Sequence, residues 1–223
     1  MRLEDLIKLY KTEEYEFYKY TDKDGEKINT NFIFETHKDY LDKYLSFYKT
    51  IPDLTQVVVY AVDGIFKLTN QGIEFFIRHN HQEVFEDRNG NIRGVSYELT
   101  KIVRNNLLKR INDIMAVTDF NQLHKIVTEC KVKGFGPLAI YDTTQRIASK
   151  MNIEPDKIYI MAGAKKGIEL LEEKGYIAKG LSKNKTIEMK DLPIELQVLS
   201  PSEAHHFSCS KKKEIESLEI NQI

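Results

Sequence analysis

Between Lys131 and Met151 the sequence KVKGFGPLAIYDTTQRIASKM places phosphate-gripping residue types beside a carboxylate. Gly134 and Gly136 flank Phe135, and neither carries the Cβ that restricts backbone angles. Pro137 suits the first position of a helix, where its missing N–H costs nothing. The free amides of such a helix start, with those of the turn, can face an anion. Lys131 and Lys133 add charge nearby. Asp142 follows as a candidate catalytic carboxylate. Arg146, four residues on, reads as a phosphate contact or as a surface ion-pair partner of Asp142.

A second Gly-rich stretch, Gly163-Ala-Lys-Lys-Gly167, reads as a turn that brings Lys165 and Lys166 to a helix start, where they suit phosphates. It lacks the Gly-Lys-Ser/Thr ending of a nucleotide P-loop, so ATP binding is not expected. His205 and Cys209 have helical spacing for a shared metal, but no companion ligand cluster is visible. No metal or cofactor is therefore expected. The Asn89-Gly90 turn places Arg88, Asn91 and Arg93 where they either probe a ligand or a DNA groove or form an ordinary solvated turn.

Helical periodicity supplies the elements that must hold these groups. Leu3, Leu6, Ile7 and Tyr10 recur on one helix face, as do Tyr40, Leu41, Tyr44, Leu45 and Tyr48. Asp53 and Gly64 bracket a helix over TQVVVYAVD as N-cap and stop. Leu99, Ile102, Val103, Leu107 and Ile111 mark the buried side of a helix over 96–115. Asp119 caps a helix over 120–130 that puts Cys130 on the core side. Ser200-Pro201-Ser202-Glu203 is a helix start with a capping box. Extended patterns suggest hairpins over 15–35 and 84–97.

The 223 residues are 41% hydrophobic and 30% charged, with net charge -1. That suffices for one sizeable core or two small lobes. Positive charge is concentrated: residues 131–190 carry 12 Lys and Arg against 7 Asp and Glu. A local basic zone binds a polyanion even when the total charge is near zero. No apolar run spans a bilayer and the N-terminal stretch is too charged for a signal peptide, so a cytoplasmic, non-membrane protein is expected. Cys130 and Cys209 make no disulfide framework.

The segment Ile140-Tyr141-Asp142-Thr143-Thr144-Gln145-Arg146-Ile147-Ala148 resembles a segment of the helix-hairpin-helix DNA glycosylases, whose Asp is catalytic. Lys133-Gly134-Phe135-Gly136 is similar to that family's hairpin. The family's His after Asp-Thr is Thr144 here. Pro137-Leu138 stands where bifunctional members carry a lysine, so the resemblance implies hydrolysis without lyase chemistry. It implies double-stranded DNA as partner, with Lys131, Lys133, Gly134, Phe135, Gly136, Arg146, Lys165 and Lys166 at the phosphates and Tyr141 in a base pocket. Asp142 would stabilise the cation that develops on the deoxyribose during base excision in DNA repair.

The expected fold is mostly α, a helical domain with a helix-hairpin-helix-like element and one or two small β-hairpins. It is read as a single domain over 1–223, or as lobes 1–116 and 117–223. The expected function is that of a monofunctional DNA glycosylase. The alternatives are a non-catalytic helix-hairpin-helix DNA-binding module and a protein-interaction domain in which the turn only packs helices.

Overall fold

The computed structural model describes residues 1–87 and 89–221. About 51% of the chain is helical, and the strands form small two-stranded sheets. The chain divides into two compact units. One comprises Met1–Tyr15, Glu35–Asp39 and Pro155–Ile223; the other comprises Glu16–Phe34 and Tyr40–Glu154. The lobe boundary expected at 116/117 falls inside the second unit, because the helices on either side of it share that unit's core.

The first unit is built on α1 (Leu3–Thr12), whose Leu3, Leu6, Ile7 and Tyr10 are all buried. They join Ile168, Leu171, Leu196, Phe207 and Ile215 in one apolar cluster. Strand β7 (Lys157–Tyr159) pairs antiparallel with β8 (Thr186–Glu188). Helix α8 (Ala162–Glu173) packs on α9 (Pro201–Ser210). Ser200 and Glu203 close the capping box expected at the start of α9, and α10 (Lys212–Glu216) follows.

The stretch 163–167 is helical, not a turn. Its glycines serve helix packing: a Cβ on Gly167 would lie 1.9 Å from the Ser208 carbonyl oxygen, and one on Gly163 would lie 2.4 Å from Cys209 Sγ.

In the second unit, β1 (Tyr15–Thr21), whose first residue ends the first unit's opening segment, pairs with β2 (Lys27–Phe34). Helix α2 (His37–Thr50) carries Tyr40, Tyr44 and Tyr48 inward. Helix α3 (Leu54–Asp63) starts where Asp53 accepts from the Thr55 and Gln56 amides. It ends at Gly64, whose φ of 74° suits glycine. Strand β3 (Ile65–Asn70) pairs antiparallel with β4 (Ile73–Arg78). This hairpin turns at Gln71 and Gly72, both at positive φ.

Strands β5 (Phe85–Glu86) and β6 (Ile92–Arg93) form the expected Asn-Gly hairpin. There Asp87 takes up Asn91 and Arg93, while Arg88 lies outside the described residues. Helices α4 (Tyr97–Leu108), α5 (Ile111–Ala116), α6 (Phe120–Glu129) and α7 (Pro137–Lys150) complete the unit. Ile102, expected inward, is 50% exposed on α4. Helix α7 packs against both α3 and α6.

Candidate functional site

The connection from α6 to α7 is shaped by its glycines unequally. Gly134 has φ +98°, and a Cβ there would meet Leu99 Cδ1 at 2.8 Å. Its lack of a side chain is a structural requirement. Phe135 is buried and fixes the turn from inside. Gly136 is different. Its φ of -80° and ψ of 178° are extended and open to any residue, and a Cβ there would meet nothing within 4 Å. It is the N-cap of the 14-residue α7, offers no side-chain cap, and is followed by Pro137. Lys131 and Lys133 are exposed beside it.

Asp142 sits in the middle of α7 and its side chain is only 9% exposed. One oxygen, Oδ2, receives His81 Nδ1 at 2.8 Å and lies 3.7 Å from Arg146 Nη2. Burial by itself raises the Asp142 pKa. His81, through charge and hydrogen bond, and the Arg146 cation outweigh it, so the carboxyl is held well below the usual carboxylate range.

Arg146 is fully buried, and this corrects the expectation of a surface ion pair or a phosphate contact. Its Nε donates to the Tyr44 hydroxyl, Nη1 to the Ala61 carbonyl at 2.8 Å and Nη2 to Gln82 Oε1 at 3.0 Å. Ala61 lies in the last turn of α3, where carbonyls lack intrahelical partners and carry partial negative charge. A guanidinium suits that position. Gly64 permits the arrangement, since a Cβ there would come within 2.9 Å of Gln82 Oε1.

Two histidines complete the cluster. As β4 ends, the His79 amide bonds the Gly64 carbonyl at 2.8 Å, and the next residues turn so that the Gln82 amide returns to the His79 carbonyl. His79 Nδ1 accepts from the His81 amide at 3.2 Å, and its Nε2 meets the Tyr40 hydroxyl at 3.2 Å. Burial first, then the neighbouring His81 and Arg146, push the His79 pKa far down, so its imidazole is neutral near pH 7. The His81 side chain is 35% exposed and connects the cluster to solvent. One donor atom from each of His79, His81 and Asp142 lies within 4.8 Å of the others.

The remaining sequence candidates are dispersed. Tyr141, expected in a base pocket, is buried, with its ring 6.0 Å from that of Phe120. Lys165 and Lys166 are exposed on α8, in the other unit from the Gly-Phe-Gly turn. His205 Nδ1 lies 2.8 Å from the Tyr159 carbonyl oxygen. A groove of about 580 Å³ in the second unit is lined by Lys19, Arg78, Asn80, Glu83 and Tyr97 among others; neither Asp142 nor Tyr141 lines it.

His79 and His81 carry no local signal of their role. Their His-x-His spacing follows an apolar stretch, and Asp142 is 61 residues beyond His81 in the chain. Comparison with protein-family models, with curated proteins and with solved structures finds no match for this chain.

Proposed function

We propose that this chain binds duplex DNA through the phosphate backbone, at the N-terminus of α7. One observation carries the reading. Gly136 lacks a side chain where neither backbone angle nor packing requires that lack. A glycine in that setting leaves helix-start amides open to close approach, as a phosphate oxygen needs. The exposed Lys131 and Lys133 supply charge. Contacts of this type position a protein on DNA without reading sequence.

The test is fluorescence anisotropy of a labelled 20-base-pair duplex across a salt series. Lys131→Ala and Lys133→Ala are each expected to weaken binding and to reduce the slope of log K against log salt by about 1. Gly136→Ala is expected to weaken binding roughly tenfold, the scale of one charge-assisted hydrogen bond. Its salt slope should stay unchanged, because no cation is removed. Unaltered affinity in Gly136→Ala rejects the proposal.

Base excision with Asp142 as the catalytic carboxylate is the second reading. It is favoured by a carboxylate held ionised in a buried setting, where it stabilises a developing cation most strongly. It stands second because His81 and Arg146 already occupy the carboxylate. Release of free base from duplexes bearing deaminated or alkylated bases, lost in Asp142→Asn, would support it. No release across that panel removes it.

A further inference from the structure

We infer that His79, His81 and Asp142 form a binding site for a divalent transition-metal cation. Three donors from two distant segments converge, with one donor atom of each within 4.8 Å of the others. Around a tetrahedral ion with ligand bonds of about 2.0–2.2 Å, donors sit roughly 3.4 Å apart. His81 and Asp142 are already closer than that, at 2.8 Å, so the ion enters by displacing the proton between them.

That proton has a destination. In a neutral His81 the proton moves from Nδ1 to Nε2 and leaves Nδ1 as ligand; in an imidazolium the Nδ1 proton passes to solvent and Nε2–H stays. His79 gives up the hydrogen bond that its Nδ1 accepts from the His81 amide, so that Nδ1 becomes the ligand while Nε2–H keeps the Tyr40 hydroxyl. The nitrogen that keeps its partner then fixes the ring, as outer partners of metal-bound histidines do.

The donor set selects the class of ion. Two imidazoles and one carboxylate suit borderline cations such as Zn²⁺, Co²⁺ or Fe²⁺ and disfavour Ca²⁺ and Mg²⁺, which take oxygen ligands. Three protein donors leave at least one coordination position for water or a ligand. His81, the one partly exposed member, places that position toward solvent. The Arg146 cation, 3.7 Å from Asp142, opposes a second positive charge and tunes the site toward moderate affinity.

None of the turn residues takes part, so the DNA-binding reading stands or falls separately. The excision reading competes directly, because a metal-bound Asp142 is not free to face a sugar cation.

The experiment is a titration of tag-free, chelator-treated protein with Co²⁺ and Zn²⁺, followed by visible absorption and calorimetry, with Mg²⁺ as the contrasting ion. One equivalent of Co²⁺ should give d–d bands of a four- or five-coordinate site, and Zn²⁺ should abolish them. His81→Ala, at a partly exposed position, should fold and weaken binding by about a hundredfold or more, beyond the loss of an outer-sphere partner. His206→Ala, in the other unit, should leave the bands unchanged. Far-ultraviolet circular dichroism confirms that each variant is folded. No Co²⁺ bands in the wild type overturns the inference. So do bands that survive His81→Ala, or bands lost in a folded His206→Ala.

Discussion

Replacing Arg146 tests whether the buried cluster is an electrostatic unit. Arg146 is wholly inaccessible and Asp142 nearly so, so their attraction is poorly screened. At 3.7 Å and an effective dielectric constant of about 20, two unit charges attract by roughly 4.5 kcal/mol. Arg146→Met removes the cation, fills similar volume and leaves Asp142 buried with the two histidines beside it. We expect a loss of about 3–5 kcal/mol, the cost of stranding a buried charge. Asp142→Asn strands less, because Tyr44, Ala61 and Gln82 still accept from the guanidinium. In the double variant neither charge remains, so its cost should fall below the sum of the single costs by about 2–3 kcal/mol. Urea unfolding followed by circular dichroism at pH 7.5, with chelator present, measures all four corners of the cycle. Arg146→Lys provides a corner that keeps the charge and loses the planar fork, should Arg146→Met fail to fold. Additivity within about 0.5 kcal/mol would refute the coupling and leave Arg146 as a cap of the α3 carbonyls alone.

Gly134→Ala and Gly136→Ala should separate fold from function. The first forces a Cβ to φ +98° against Leu99 and should cost about 1–3 kcal/mol in urea unfolding, whereas the second should change stability by no more than about 0.5 kcal/mol, since an inferior N-cap is offset by a less flexible unfolded chain. Gly167→Ala, meeting the Ser208 carbonyl at 1.9 Å, should cost about 1–3 kcal/mol or more by prying α8 from α9, seen as a lowered melting temperature. The pKa of buried His79 is depressed on folding, so below the ordinary value of about 6.5 the unfolded chain binds a proton that the folded one excludes. Metal-free protein should therefore lose up to about 1.4 kcal/mol per pH unit between pH 6.5 and 5 from this group. The loss should be smaller in His79→Gln; a pH dependence equal to that of the wild type would remove His79 as its source.

The helices that could be read from the sequence were those with a local cause. Asp53, Asp119 and Ser200 cap their helices as expected because capping joins residues two or three apart. The inward faces of α1 and α2 follow from one-sided periodicity. The β3–β4 hairpin escaped because its turn uses Gln71-Gly72, not Asn-Gly, and its strands lack regular alternation. Helix α7 misled for another reason. Its Arg146 reads as a surface or phosphate-contacting residue, yet it is buried, as are Thr144 and Ser149, and all three donate to carbonyls or to Tyr44 and Gln82. Polar residues that serve buried carbonyls cannot be told from solvent-facing ones by period alone. Asp142 stood out in the sequence through its neighbours, while His79 and His81 are joined to it only by the tertiary fold.

Stability alone gives a poor account of that junction. Exchange of a buried charge cluster for apolar side chains of like volume is often neutral or stabilising. Helix α7 has Ile140, Ile147 and Ala148 within one or two turns of Asp142 and Arg146, all buried, so an apolar filling of the same space is compatible with its surroundings. Arg146 does have a structural task, satisfying the α3 terminus through Ala61, and Asp142 neutralises it. That account covers Arg146 and Asp142 and stops there. It does not require a second donor on Asp142, nor a His81 that brings the pair to solvent, nor a His79 whose ring comes within 4.5 Å of His81. The structural role thus explains the arginine, and the two histidines are the residues on which a chemical role depends.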